Sequence, residues 1–257
     1  MRRMWSAMAG VSALVGMAIA PAMAQTAEVK EKPPMYSYVA NWSIPRGQWG
    51  EMDKQTASDN KASEKAFAEG TLVGYGDDVN LVHQPDGMTH DSWFSSMSMA
   101  GVIAVLEQAY KSGSTTAPVL SAATKHADGI YVSRYYNWHS GSWKGVYTRV
   151  AAYTLKPGVP NDAVDTLAKN LFVPMLEKLL ADGAIHEYEI DQEAIHTDDP
   201  GAFWVDIIAV DAAGLDKFNA LVRENAKTNP LMGPGFASMV DVSKHRDYLS
   251  RTNVTYK

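Results

Sequence analysis

The chain has 257 residues, is 46% apolar, carries a formal net charge of -6 and contains no cysteine. Its length and apolar content suffice for a packed core, while the missing thiols exclude disulfides, thiolate catalysis and zinc-thiolate sites. An acidic balance without any cluster of Lys and Arg argues against nucleic acid or an anionic membrane surface as a partner.

At the N-terminus Arg2 and Arg3 precede a small, apolar run from Trp5 to Ala20, then Pro21 and the small-x-small triplet Ala22, Met23, Ala24. The run is shorter than a bilayer span requires. The pattern predicts a signal peptide over residues 1–24, cut after Ala24, with export to the periplasm or beyond and no stable membrane insertion afterwards. Residues 25–34 (QTAEVKEKPP) are polar and Pro-containing and predict a disordered leader.

The run 35–44 (MYSYVANWSI) reads as a strand ended by Pro45, which opens a helix reaching Gly70. This helix is polar, with Trp49, Met52 and Phe67 as its large apolar anchors, and is expected to be the mobile element of the fold. Residues 71–83 and 92–97 form two β-like runs around the turn signal Gln84-Pro85-Asp86-Gly87. A helix from Met99 to Tyr110 capped by Ser98, a long loop over 112–129 and a strand over 130–138 complete a β-α-β-β-α-β order. Residues 146–155, 161–181, 184–196, 202–210 and 212–225 repeat this order, with Asp211 at an N-cap position. The final strand is marked only by an echo: Lys125-His126, Tyr131 and Ser133-Arg134 against Lys244-His245, Tyr248 and Ser250-Arg251.

The repetition is also visible residue by residue. Glu64–His83 aligns without a gap with Glu177–His196 at a period of 113, with seven identities in twenty positions. We therefore read an α+β chain made by tandem duplication of a ferredoxin-like unit, residues 35–139 and 144–257. Each such unit has a four-stranded sheet with one face bare of helices. Packing the two antiparallel sheets face to face would bury both, which resembles the dimeric α+β barrel superfamily in a single-chain form. The alternative is two ferredoxin-like domains side by side.

Candidate functional residues follow from the alignment. His83 and His196 are equivalent, as are Tyr75 and Tyr188, and His186 shares the strand face of Tyr188. If that face lines a barrel, its rings and imidazoles suit a flat, partly apolar ligand; if it faces helices, they are core. His83 and His90 flank a six-residue turn near Asp91, yet nothing matches in the second half after His196, and no metal site is expected. Asn41 and Trp42 with Trp93 resemble the strand Asn and Trp of the small antibiotic-biosynthesis-type monooxygenases and of haem-degrading barrels. The latter also carry a helical histidine that helix 99–110 lacks, so no cofactor is expected. The expected role is binding of a small, partly apolar ligand. The alternatives are a cofactor-independent monooxygenase- or lyase-like enzyme with His83 or His90 as base, and a scaffold with a dry, filled barrel. Oligomeric state is not encoded in any recognisable pattern.

Overall fold

The computed structural model describes residues 29–83, 87–197 and 200–257. The signal-peptide segment and its cleavage site lie outside these. Among the described residues no helix is long and apolar enough to cross a membrane.

The first half comprises β1 (Met35–Ser43), α1 (Trp49–Ala68), β2 (Gly74–Asn80), β3 (His90–Ser96), α2 (Met99–Ser112), the short α3 (Pro118–Ser121) and β4 (Lys125–Trp138). The second comprises β5 (Gly141–Thr154), α4 (Ala163–Leu167), a π-type turn over Ala168–Phe172, α5 (Val173–Ala181), β6 (Ile185–Glu193), β7 (Ala202–Ala209), α6 (Ala212–Thr228), α7 (Phe236–Met239) and β8 (Arg246–Tyr256). Local chemistry sets the boundaries. Ser98 Oγ accepts the Gly101 N–H at 3.1 Å and Asp211 Oδ1 accepts that of Gly214 at 2.8 Å, each capping its helix. Gly70 and Gly183, at φ +86° and +64°, close α1 and α5 in the left-handed region where a Cβ would be strained.

All eight strands join in one closed antiparallel ring, in the order β1-β3-β2-β8-β5-β7-β6-β4. Within it β4-β1-β3-β2 and β8-β5-β7-β6 have the same order in the two halves. The expected barrel is thus present, with the two sheets joined in one closed ring rather than merely stacked. The sheets share their edges: Gly74–Asn80 of β2 pairs with β8, and Tyr131–Trp138 of β4 pairs with β6. Edge pairing satisfies backbone groups that two stacked sheets would leave open.

Two further expectations change. Residues 32–34 of the leader are fastened rather than loose, because Lys32 N–H donates to Arg134 O and Tyr136 OH donates to Pro33 O, both at 2.8 Å. The segment 112–129 is not one long loop, since α3 and the first residues of β4 lie within it.

Helices cover the outside of the ring unequally. Outward residues of β6 and β7, including Ile190, Phe203, Val205 and Ile207, pack with Leu167, Leu171, Leu176 and Leu179 in the main core. The outer core under α1 is much smaller, built on Ile44, Met52 and Val119. Met52 is the only buried residue of α1, and a cavity of about 1000 Å³ lies between α1, α2 and the sheet. Few buried apolar contacts make local opening cheap. Amide hydrogen exchange should therefore be faster along α1 than along α5; equal protection of the two would contradict the packing difference.

Candidate functional site

Strand parity decides what the ring encloses. Alternate residues point to opposite faces, and in this ring one face meets the helices while the other meets a cavity of about 550 Å³. Inward positions include Ser37, Val39 and Asn41 on β1, Asp91 and Trp93 on β3, Thr148 and Val150 on β5 and Ser250 and Tyr256 on β8. One end is filled by Val146, Ile208, Val254 and Tyr256, against which Trp93, Trp138 and Trp143 pack. Val82, Met88, Asp128, Thr197 and Tyr248 line the cavity from the other end, near the β2–β3 and β6–β7 loops.

The interior is acidic. Asp78, Asp91, Glu187, Glu189, Asp191 and Asp206 all line it, and no Lys, Arg or His stands among its lining side chains in the described residues. Several of the acids hold neutral donors: Trp93 Nε1 and Thr252 Oγ1 donate to Asp78, Ser133 Oγ to Asp191, and Tyr256 OH to Glu189 at 3.0 Å. Asn80 Nδ2 reaches Asp91 at 3.4 Å and Ser250 Oγ donates to Asn80 Oδ1 at 2.8 Å. Three carboxyl oxygens, Oδ1 of Asp91, Oε1 of Glu187 and Oδ1 of Asp206, are buried without any hydrogen-bond partner. Among the described residues no group of acids and histidines is arranged to hold a metal ion.

Burial without a compensating cation favours the neutral acid. It pushes Asp78 and Asp191 up to about 6, against the hydrogen bonds from Thr252 and Ser133 that favour ionisation. Asp91, Glu187, Glu189 and Asp206 are held well above the ordinary carboxylate range, by burial first and by neighbouring carboxylates second. Asp78 and Asp191 are therefore placed to change protonation state near pH 6, and burial favours the protonated form of the other four.

Of the residues singled out from sequence, Asn41 and Trp93 line this cavity. Tyr75 and Tyr188 face the helices instead: the Tyr75 ring meets Phe67 edge-on at 5.7 Å, and Tyr188 OH donates to Glu177 at 2.6 Å. That answers the face question left open by the alignment, and places both as packing residues. His90 also points outward, its ring meeting Trp49 edge-on at 5.2 Å and its Nδ1 lying 2.9 Å from Thr89 Oγ1. His83 is exposed beside Trp49, at 5.7 Å between rings. His196 is exposed in the loop after β6, and His186 stacks on Trp143 at 4.0 Å at the opposite end of that strand. The structure does not bring these four histidines together.

Apart from Asp91, named beside the His83–His90 turn, the acids were not singled out, although the sequence carries two signals for them. Glu187, Glu189 and Asp191 alternate with Tyr188 and Ile190, a two-residue period that assigns acids to one face. Asp78 and Asp191 are themselves an aligned identity of the repeat. Gly74 and Gly76, the counterparts of Glu187 and Glu189, have no room for side chains: a Cβ would stand 2.4 Å from the Tyr256 ring and 2.6 Å from that of Trp93.

A carboxyl group whose folded-state pKa is raised stabilises the protein fully below its unfolded value near 4 and loses that contribution as pH rises through its folded value. The shift of Asp78 from 3.8 to about 6 corresponds to about 3 kcal/mol. Unfolding temperature should accordingly be higher at pH 5 than at pH 8, and the double variant Glu187→Gln/Asp206→Asn should narrow the gap. A wild-type protein as stable at pH 8 as at pH 5 would contradict a buried acidic interior.

No protein-family profile matches the chain, and no curated protein sequence matches it. Solved structures match in fold. A candidate monooxygenase from Fusobacterium nucleatum superposes with a TM-score of 0.62 at 8% identity, over 88% of this chain and 95% of that one. One from Lactobacillus acidophilus gives 0.57 at 9% identity, over 88% and 97%. An anthrone oxidase-like protein gives 0.51 at 8%, over 88% and 94%. At such identities the likeness is one of fold alone: a mixed α+β architecture around a closed antiparallel barrel, whose eight strands among the described residues come from one polypeptide.

Proposed function

We propose that this chain is an exported small-molecule-binding protein, built by tandem duplication of a ferredoxin-like unit, whose binding site is the barrel interior. The observation that carries this reading is the cavity of about 550 Å³, walled by aromatic rings and by polar groups with unfilled hydrogen-bonding capacity. Its volume lies within the range of ordinary ligand pockets. A scaffold with a dry, filled barrel fits this interior less well.

An enzymatic reading is favoured by a separate observation. Asp78, raised to about 6, lies against Trp93 Nε1 and shares the cavity with Asn41, so a bound substrate would meet a group able to give or take a proton near neutrality. The fold-level likeness to candidate monooxygenases agrees with it. In this reading the proton-transfer group is an interior acid, while His83 and His90 lie on the helix side of the wall.

A thermal-shift screen of small molecules separates these outcomes. Hits are expected to raise the unfolding temperature of the wild type and to lose that effect in Val150→Trp, whose indole would occupy the cavity. They should keep it in His83→Ala. Hits indifferent to Val150→Trp, or no hit at all, would refute the interior site; turnover lost in Asp78→Asn with binding retained would favour the enzyme.

A further inference from the structure

Resting on the reading of the interior as a binding site, we propose that its ligand is an organic cation, a protonated amine carried on an apolar or aromatic body. The wall holds seven acids, six in the buried interior and Asp128 towards one end, and no cationic side chain among the described residues, so the charge balance of the cavity is one-sided. The acids alone would not define a ligand. The independent observation is that Glu187, only 2% exposed, presents a buried Oε1 with no partner to this cavity, and that Asp91 and Asp206 each have an equally orphaned oxygen.

Native interiors rarely leave such atoms unpaired, because a buried acceptor without a hydrogen bond loses its hydration with nothing in return. Without a guest, burial favours the neutral acids; once ionised they accept but do not donate, so what would complete these oxygens is a donor, and a cation among them would hold them in the charged form. A metal ion is a poor fit, since no three acidic or imidazole groups of the described residues converge as ligands. An alkyl- or arylammonium fits on both counts: its N–H groups reach separate acceptors and its body needs apolar walls.

The walls are supplied on the right strands. β3 and β7 stand four strands apart in the eight-stranded ring, hence across the cavity from one another. Trp93 on β3 and Asp206 on β7 line the interior from these opposite sides, as do Asp91 on β3 and Trp204 on β7. Tyr256 adds a third ring, with its centroid 5.6 Å from that of Trp93 and its hydroxyl already on Glu189. Aromatic faces attract cations as well as apolar bodies, so an ammonium held by the acids would be favoured rather than opposed by the rings around it.

The test is titration calorimetry of the full chain at pH 7.5 with benzylamine and hexane-1,6-diamine, each against its alcohol and carboxylic acid of the same skeleton. We expect each amine to bind at least about 10-fold more tightly than its alcohol, and the acid more weakly than either. In Glu187→Gln/Asp206→Asn the preference for amine over alcohol should fall below about 3-fold while alcohol binding persists. Should the double variant fail to fold, Asp91→Asn serves in its place with the same expectation. An alcohol or acid that binds as tightly as its amine, or an amine preference that survives both variants, overturns the cationic ligand and leaves the interior site standing. Failure of every compound to bind overturns both.

Discussion

Ring closure is the constraint on which everything else in this protein rests. Once β2 pairs with β8 and β4 with β6, no strand of the described residues has a free edge, and each of their residues is committed to one of two environments. An eight-stranded ring leaves an interior only wide enough for side chains and one small guest. Parity then sorts the chemistry: on β6 Tyr188 and Ile190 go to the helices, and Glu187, Glu189 and Asp191 go inside. A shift of register by one residue would exchange these sets and place three acids in the apolar layer, which fixes the register as firmly as any single contact.

The two halves share a strand order but divide the labour of stability differently. Most of the apolar burial lies on the side of α4, α5 and α6, where the helical stripe Val164, Leu167, Leu171 and Leu179 meets the outer faces of β6 and β7. The first half contributes a thin outer core and a long polar helix over a void. Acids kept neutral inside the ring add a cost that the larger core must offset. The scaffold is firm on one flank and loosely covered on the other.

The elements were legible because their signals are local: caps at Ser98 and Asp211, closing glycines at 70 and 183, and the apolar stripes of the second half. The ring itself was partly legible, through the order of elements and the 113-residue period, but edge pairing is a long-range choice that no local pattern writes down. The site was legible only at Asn41 and Trp93. Tyr75, Tyr188 and the histidines were attractive because rings and imidazoles look functional, yet a two-residue period does not say which face is inside. The decisive clue was the alternation of acids with Tyr188 and Ile190; it is read naturally as a solvent-facing strand, and closure is what turns that face inward.

Because one polypeptide supplies the whole ring, each position of the inner wall is encoded once. A ring assembled from two identical subunits must place the same side chain at both members of every related pair. Here Gly74 and Gly76 stand where the other half has Glu187 and Glu189, and Trp93 stands where it has Asp206. The interior can therefore be lopsided, with Glu187, Glu189 and Asp191 on β6 where β2 has Asp78 alone, and a single codon change can retune one side without disturbing its counterpart.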